Sequence, residues 1–405
     1  MAPKPMTVLH IVDYAMTDPV AQRLVEEVVK RLPASEFAVS LVSSGEALDR
    51  VRILAGRLGR EVGMIDSPTL VHRFAVALGP DAQYSGRPTY EVLSDTFAAA
   101  DLLWFPYAHD HLLAHRGLAR TVATFHDPSP VERAEFLADR SDAVGAATCT
   151  AMAALADMAT RRLMGSSARV VAPSRRIADY LAAAYKGAAD LVPMPTPSLL
   201  DVPAEPVADL PQRYMLHAGD IGPLGNHESV LMAQARLKAQ GAVLPLVLAG
   251  EGTDQLAAGA DHRAAYLRGL AGHLGLTIGA DIHLLGELPP GAWKTVFSQS
   301  SGVVLPALAE GSALPLAGQA AELGVPLAAA DMPGPRDYFA RRGIVPLWFR
   351  PGAADEIAAV MLALRDVPPR PPAILPDTRW DAAAQSYLTI FREQAILAAS
   401  QAGDH

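Results

Sequence analysis

Three places in this chain combine polar residue types with spacings that permit chemistry. His126-Asp127 follows the apolar run Thr121 to Phe125, so an imidazole and a carboxylate end a strand together. Asp127 also precedes Pro128, a position where aspartate can serve simply as a turn residue. Glu310-Gly311 follows the strand-like run Gly302 to Leu305 and precedes the helical run Leu314 to Leu323. A carboxylate there can contact a ligand or complement the helix dipole. The third place holds His217, Asp220, His227 and Glu228 among Gly219, Gly222 and Gly225. These are metal-ligand types, but their spacing follows no zinc motif, so no metal site is expected. The lone Cys149 sits among Ala, Thr and Met and reads as core packing. Arg175-Arg176 can lend charge to a site or begin a solvated helix. Arg50, Arg52, Arg57 and Arg60 form a modest basic run, suited to solvent or to an anionic membrane surface.

The elements that must position these residues alternate along the chain. Thr7 to Val12 is an apolar run of strand length. Thr17-Asp18-Pro19 then offers a cap with proline at the first helical position. Val20, Leu24, Val25, Val28, Val29 and Leu32 follow at helical spacing. Further strands are expected at Ala38 to Val42, Asp101 to Phe105, Thr121 to Phe125 and Arg169 to Ala172. After Pro193, Pro195, Pro197, Pro203, Pro206 and Pro211 the alternation restarts. Its strands are Tyr214 to Ala218, Pro245 to Ala249, Asp281 to Leu285, Gly302 to Leu305 and Pro326 to Ala329, with a helix such as Glu228 to Gln240 between. Trp380 to Ala399 reads as a closing helix. The pattern predicts two Rossmann-like, doubly wound α/β domains with parallel sheets. Their expected bounds are 1–195 and 213–375, with a proline-rich linker at 196–212 and a last helix at 376–405 crossing back to the first domain. Two such sheets facing a cleft can hold two substrates beyond their carboxyl strand ends, as a transferase needs.

Composition agrees with a globular chain. Of 405 residues, 50% are hydrophobic and 19% charged, the opposite of a disordered balance. The net charge of −9 argues against a general nucleic-acid binder, so no nucleic-acid partner is expected. One cysteine allows no disulfide within the chain. The first residues, Met1 to Met6, lack the apolar run of a signal peptide, and the uncharged stretch Ala143 to Ala156 is shorter than a bilayer span. The expectation is a cytoplasmic protein, with contact at the inner membrane face left open.

Eight segments, in order, resemble the GT-B glycosyltransferases of family 4, the retaining nucleotide-sugar enzymes. They are Thr124-Phe125-His126-Asp127-Pro128, Val171-Ala172-Pro173-Ser174, Tyr214 to Asn226, Leu246 to Gly252, Asp281 to Gly286, Leu305-Pro306 with Glu310 to Pro315, Leu323-Gly324-Val325-Pro326, and Trp380-Asp381. The resemblance implies that Glu310 holds the donor sugar and that His126 and Asp127 line the reaction centre. It places the donor against Gly219, Gly222, Asn226, Gly250 and the amides of Ser312, Ala313 and Leu314. The departing diphosphate would be stabilised by those amides. The implied reaction moves a hexose from a UDP- or GDP-sugar to a glycan, lipid-linked or small-molecule acceptor, with no cofactor beyond the nucleotide-sugar co-substrate.

The chain departs from the family's pattern in three places. The turn Gly219 to Asn226 carries no lysine or arginine where the family has both; Asp220, or Leu224 and Gly225, stand at those positions. Gly318 stands eight residues after Glu310, where the family has a second glutamate for the ribose. Glu322, one turn further along, is the expected substitute. Tyr14 to Pro19 replaces a glycine pair after the first strand. These losses support an alternative, a catalytically silent homologue that binds a protein partner as subunit or scaffold. An epimerase or phosphorylase on the same fold would want acid, histidine or lysine clusters that this sequence does not display.

Overall fold

The computed structural model describes residues 6–12, 19–43, 47–66, 98–106, 118–126, 128–139, 143–242, 244–308, 313–375 and 379–402. The chain forms two compact units. One comprises Met1–Glu135, Ala147–Met194 and Arg379–His405, the other Phe136–Ala146 and Pro195–Thr378.

The first unit is built on β1 (Thr7–Val12), α1 (Pro19–Arg31), β2 (Phe37–Ser43), α2 (Leu48–Arg57), β3 (Gly63–Asp66), β4 (Leu102–Phe105) and β5 (Thr121–Thr124). There follow α3 (Ser129–Glu132), α4 (Ala134–Asp139), α5 (Ala143–Met164), β6 (Arg169–Ala172), α6 (Arg175–Tyr185) and β7 (Asp190–Leu191). Its seven strands are parallel, in the order β3-β2-β1-β4-β5-β6-β7. The helical spacing of α1 lets Leu24, Val25, Val28 and Val29 bury completely in the core beside Leu9 and Ile11. Ser174 caps α6 by accepting the Ile177 amide, and Lys186 ends that helix in the left-handed conformation.

The second unit contains β8 (Met215–Ala218), α7 (His227–Ala239), β9 (Leu246–Ala249), α8 (His262–His273), β10 (Ile282–Leu284) and α9 (Pro290–Gln299). It continues with β11 (Gly302–Leu305), α10 (Ala313–Glu322), β12 (Leu327–Ala330), α11 (Pro333–Arg342), β13 (Leu347–Phe349) and α12 (Ala354–Leu364). All six strands are parallel, in the order β10-β9-β8-β11-β12-β13. The doubly wound α/β class expected from the alternation is what both sheets display. Strand order reverses between β8 and β11, and in such sheets the ligand crevice opens beyond the carboxyl ends of that pair.

Two connections refine the picture. The proline-rich stretch carries no helix or strand, yet it is stitched to the second unit. Lys294 Nζ donates to the Leu200 and Val202 carbonyls, Thr295 Oγ1 to the Glu205 carbonyl, and the Glu205 amide to Gly291. The last helix, α13 (Trp380–Ala402), belongs to the first unit. Its Tyr387 hydroxyl meets Thr124 Oγ1 at 2.8 Å, and Gln394 Nε2 donates to the Ala119 and Ser167 carbonyls. Trp104, Tyr387 and Phe391 pack in the same core with tilted and edge-to-face rings. No helix among the described residues is long and apolar enough to cross a membrane.

Three strands went unread in the sequence: β3, β7 and β13. Each is a sheet edge, paired on one side only. An edge strand is not buried on both faces, so it lacks a continuous apolar run. Met64 in β3 is half exposed, Leu347 in β13 more than a third exposed, and β7 has only two residues.

Candidate nucleotide site at the strand reversal

The crevice between β8 and β11 is framed by two loops. The loop after β8 runs from Gly219 to Asn226 and includes a 3-10 turn at Pro223–Gly225. The loop after β11 begins at Pro306 and leads to α10. Two bonds tie them: the Leu308 amide donates to the Leu224 carbonyl at 2.8 Å, and Asn226 Nδ2 donates to the Pro306 carbonyl at 3.0 Å. Asn226 sits in the left-handed conformation at φ 56°, which asparagine tolerates better than most residues. Its Oδ1 accepts from Ser229 Oγ at 2.7 Å. Both ends of its buried amide are therefore occupied in holding the turn.

The glycines divide by function. Gly250 has φ +141°, and a β-carbon there would lie 2.4 Å from the Gly219 carbonyl oxygen. The β8 and β9 loops touch backbone to backbone at this point, which only glycine permits. Gly219 donates to the Ala249 carbonyl, and Gly250 to Gly286. A β-carbon on Gly222 would meet nothing within 4 Å, so that position faces open space. At Gly222 the turn therefore presents an unobstructed backbone.

Asp220 is exposed, and its carboxylate accepts the Glu251 amide at 3.0 Å. It serves as a clasp between the β8 and β9 loops while keeping a negative charge beside the crevice. Asp220→Asn should keep the clasp, because the amide oxygen still accepts, and should remove the charge. The expected outcome in a titration with a nucleoside diphosphate is affinity about 1.5- to 5-fold tighter. An unchanged or weaker affinity would place the anion away from this turn.

Arg263 on α8 carries no signal in the sequence. It forms a bidentate pair with Glu228, at 2.6 and 2.8 Å, and its Nε donates to the Ile221 carbonyl at 3.1 Å. This one cation braces the turn from behind. Thr253 does the same for the neighbouring loop: its hydroxyl donates toward Leu248 and Gly250 and accepts from Gly286. The residues of the Arg263–Glu228 pair are 35 positions apart, so no local spacing announced them.

Beneath the turn lie two imidazoles. His217 in β8 and His227 at the start of α7 are 1% and 0% exposed, with ring centroids 4.3 Å apart. Burial holds the His217 pKa down at about 4, partly offset by its contact with the Val304 carbonyl. His227 is pushed well below the ordinary histidine value by burial, then by His217 and Arg263. Both rings are therefore neutral at pH 7. No group of three or more metal-ligating side chains gathers anywhere among the described residues.

The remaining residues singled out in the sequence fall as follows. Leu314 lies in the first turn of α10, where helix amides have no intrahelical acceptor and point toward the crevice end of the sheet. The backbone of Ala313 begins that helix. Glu310, Ser312 and Asp127 lie outside the described residues. His126 is half-buried at the end of β5, and its Nε2–H donates to the Pro106 carbonyl at 2.7 Å. It thus stands at the carboxyl edge of the first sheet.

Glu322 lies at the end of α10 remote from the loop after β11. It ends α10, about 14 Å along the helix axis from Ala313. Its side chain is fully buried near Ser198, Leu199 and Leu375, and burial raises its pKa. The i, i+4 spacing put it on the right helical face but at the wrong end of the sheet. Gly318 is also accounted for. A β-carbon there would stand 2.3 Å from Tyr338 Oη and about 3 Å from Thr196, two hydroxyls that bond each other at 2.6 Å. The space a longer side chain would need is already filled.

Residues 202–370 match the family described as Glycosyl transferases group 1. Solved structures share the fold across nearly the whole chain. HepE of Anabaena, in complex with UDP and glucose, is 13% identical, covers 99% of both chains and has a TM-score of 0.58. A glycosyltransferase from Rickettsia africae is 14% identical, over 96% of this chain and 99% of that one, with a TM-score of 0.59. A UDP-forming trehalose-phosphate synthase from Burkholderia xenovorans is 11% identical, over 99% and 98%, with a TM-score of 0.58. The fold is that of the GT-B glycosyltransferases, as the eight segments implied. The family match itself falls within the second unit, and it includes the turn at Gly219, the reversal between β8 and β11, and α10. A sequence comparison with curated proteins finds no match.

Proposed function

We propose that the chain is a retaining glycosyltransferase that moves a hexose from a UDP- or GDP-sugar to a glycan, lipid-linked or small-molecule acceptor. The observation that carries the reading is the open backbone turn Gly219 to Asn226, bonded to the loop after β11 at the strand reversal, inside the segment that matches the glycosyltransferase family. The UDP and glucose held by HepE support a nucleotide sugar as the ligand class. In this reading the turn amides and the first turn of α10 receive the diphosphate, whose charge grows as the sugar departs. Glu310 positions the donor sugar. His126 and Asp127 belong to the acceptor side, where an imidazole whose Nε2 is fixed on a carbonyl presents a defined tautomer.

One observation favours the silent homologue. The turn has no cation of its own, Arg263 is engaged by Glu228, and Asp220 adds negative charge. A site of that kind can bind a nucleotide weakly and accelerate nothing. Incubating the purified protein with UDP- and GDP-hexoses and following nucleotide release, with and without mixed acceptors, separates the two. The expected result is release with one donor, with the anomeric configuration kept in the product. Nucleotide binding without turnover on any donor would select the silent homologue.

A further inference from the structure

We infer that the tilted, closely packed pair His217–His227 is the charge partner of the diphosphate, taking up one proton from solvent when the nucleotide sugar binds over the turn. The inference rests on the donor-site reading above and deepens it. Three of the four ring nitrogens, His217 Nε2 and both of His227, have no hydrogen-bond partner although both side chains are buried. An unpaired buried nitrogen is costly, and three of them on two rings whose centroids lie 4.3 Å apart need a reason. Their position supplies one. A β-carbon on Gly225 would lie 2.9 Å from His227 Nδ1 and Cε1, so this edge of the ring lies directly against the turn backbone. The β-carbon direction of Gly219 points to His217 Cε1 at 3.7 Å. The same geometry explains why position 225 carries no side chain. With His227 beneath it and the Asp220 carbonyl 2.7 Å from where a β-carbon would be, no lysine fits there. The cation absent from the surface of the turn has a protonatable group one backbone layer below it.

The charged groups around the pair set its behaviour. Arg263 on α8 disfavours a proton on His227, but its guanidinium is bonded to Glu228 on α7. From β11 the neighbour is the Val304 carbonyl, which favours a proton on His217. From the turn come the Asp220 carbonyl beside Gly225 and the Asp220 carboxylate, held on the Glu251 amide. In the empty protein, burial wins and the rings stay neutral. A diphosphate in the crevice reverses that balance, because opposite charge at short range in a poorly solvated site favours the protonated ring. A pKa raised by the ligand means binding that is tighter in acid. The gain approaches tenfold per pH unit below the pKa of the complex, continues down to the free value near 4, and vanishes above the complex's pKa.

The test is calorimetric titration of the full chain with UDP-glucose and GDP-mannose, whose diesterified diphosphates do not themselves titrate between pH 5 and 8. Repeating the titration at pH 6 in buffers of different ionisation enthalpy counts protons taken up. The expected result is about 0.6 to 1 proton per nucleotide sugar bound and a dissociation constant at least about fivefold tighter at pH 5.5 than at pH 7.5. In His227→Phe, which keeps an uncharged ring against His217, uptake should fall below about 0.1 proton. The proton count in the native chain stands by itself if that variant fails to fold. Binding with no proton uptake and a flat pH profile would overturn the inference and leave the donor site intact. No binding of either sugar nucleotide at any pH would overturn both.

Discussion

Gly250→Val should abolish nucleotide binding and destabilise the second unit by about 2–4 kcal/mol. The argument is steric and involves main chain alone. At φ +141° the residue occupies a conformation that side chains rarely adopt, and its β-carbon would stand 2.4 Å from the Gly219 carbonyl oxygen and 3.0 Å from the Asp220 amide. No rotamer change relieves a clash with backbone. The β8 turn must move, and with it the bonds from Gly219 to Ala249 and from Ile221 to Glu251. Gly222→Ala is the matched control. It has φ −58° and nothing within 4 Å of a new β-carbon, so its stability should stay within about 0.5 kcal/mol of the parent. Denaturant unfolding of the two variants, alongside nucleotide titration, checks the contrast. Equal stabilities would mean that the β8 and β9 loops are not in the contact described.

Arg263→Met should lower stability by about 2–4 kcal/mol, because it leaves the Glu228 carboxylate in a mostly buried position without its bidentate partner. The side chains of the pair are only 12% and 16% exposed. The substitution also removes the Nε bond to the Ile221 carbonyl, so the turn loses its brace from α8. Most of the cost is the stranded charge, and a second change exposes that. Glu228→Gln in the Arg263→Met background should recover more than half of the lost stability, since a neutral amide is cheaper to bury than an unpaired carboxylate. Nucleotide affinity should not recover with it, because the Ile221 carbonyl remains unbraced. Additive losses in the double variant would show that the pair is solvated and energetically minor.

Much of the architecture was legible because parallel strands buried on both faces write themselves as apolar runs. Leu246 to Ala249 and Gly302 to Leu305 are buried at every residue and fell where the runs ended. The start of α1 at Pro19 followed from a cap and a proline. What escaped depended on partners distant in sequence. Arg263 and Glu228 meet only once α8 has packed on the turn. Asp220 reads in sequence as a charge opposing an anion, whereas in the fold it accepts the Glu251 amide. Glu322 satisfied helical periodicity, but periodicity says which face a residue occupies and not which end of the sheet it reaches. The histidine pair was visible as two residue types near a glycine turn. Its burial and its unpaired nitrogens were not, since those depend on β11 and α8 packing beside it and on the turn lying over it.

The account turns on one claim, that the crevice between β8 and β11 receives a nucleoside diphosphate on backbone groups. Thermal unfolding of the purified protein across UDP, GDP, ADP, dTDP and their common sugars tests it most directly. A ligand at one hundred times its dissociation constant stabilises the native state by about 2.7 kcal/mol, a shift of a few degrees for a protein of this size. The account predicts such a shift for one nucleotide family, lost in Gly250→Val and kept in Gly222→Ala. No shift with any nucleotide would contradict it.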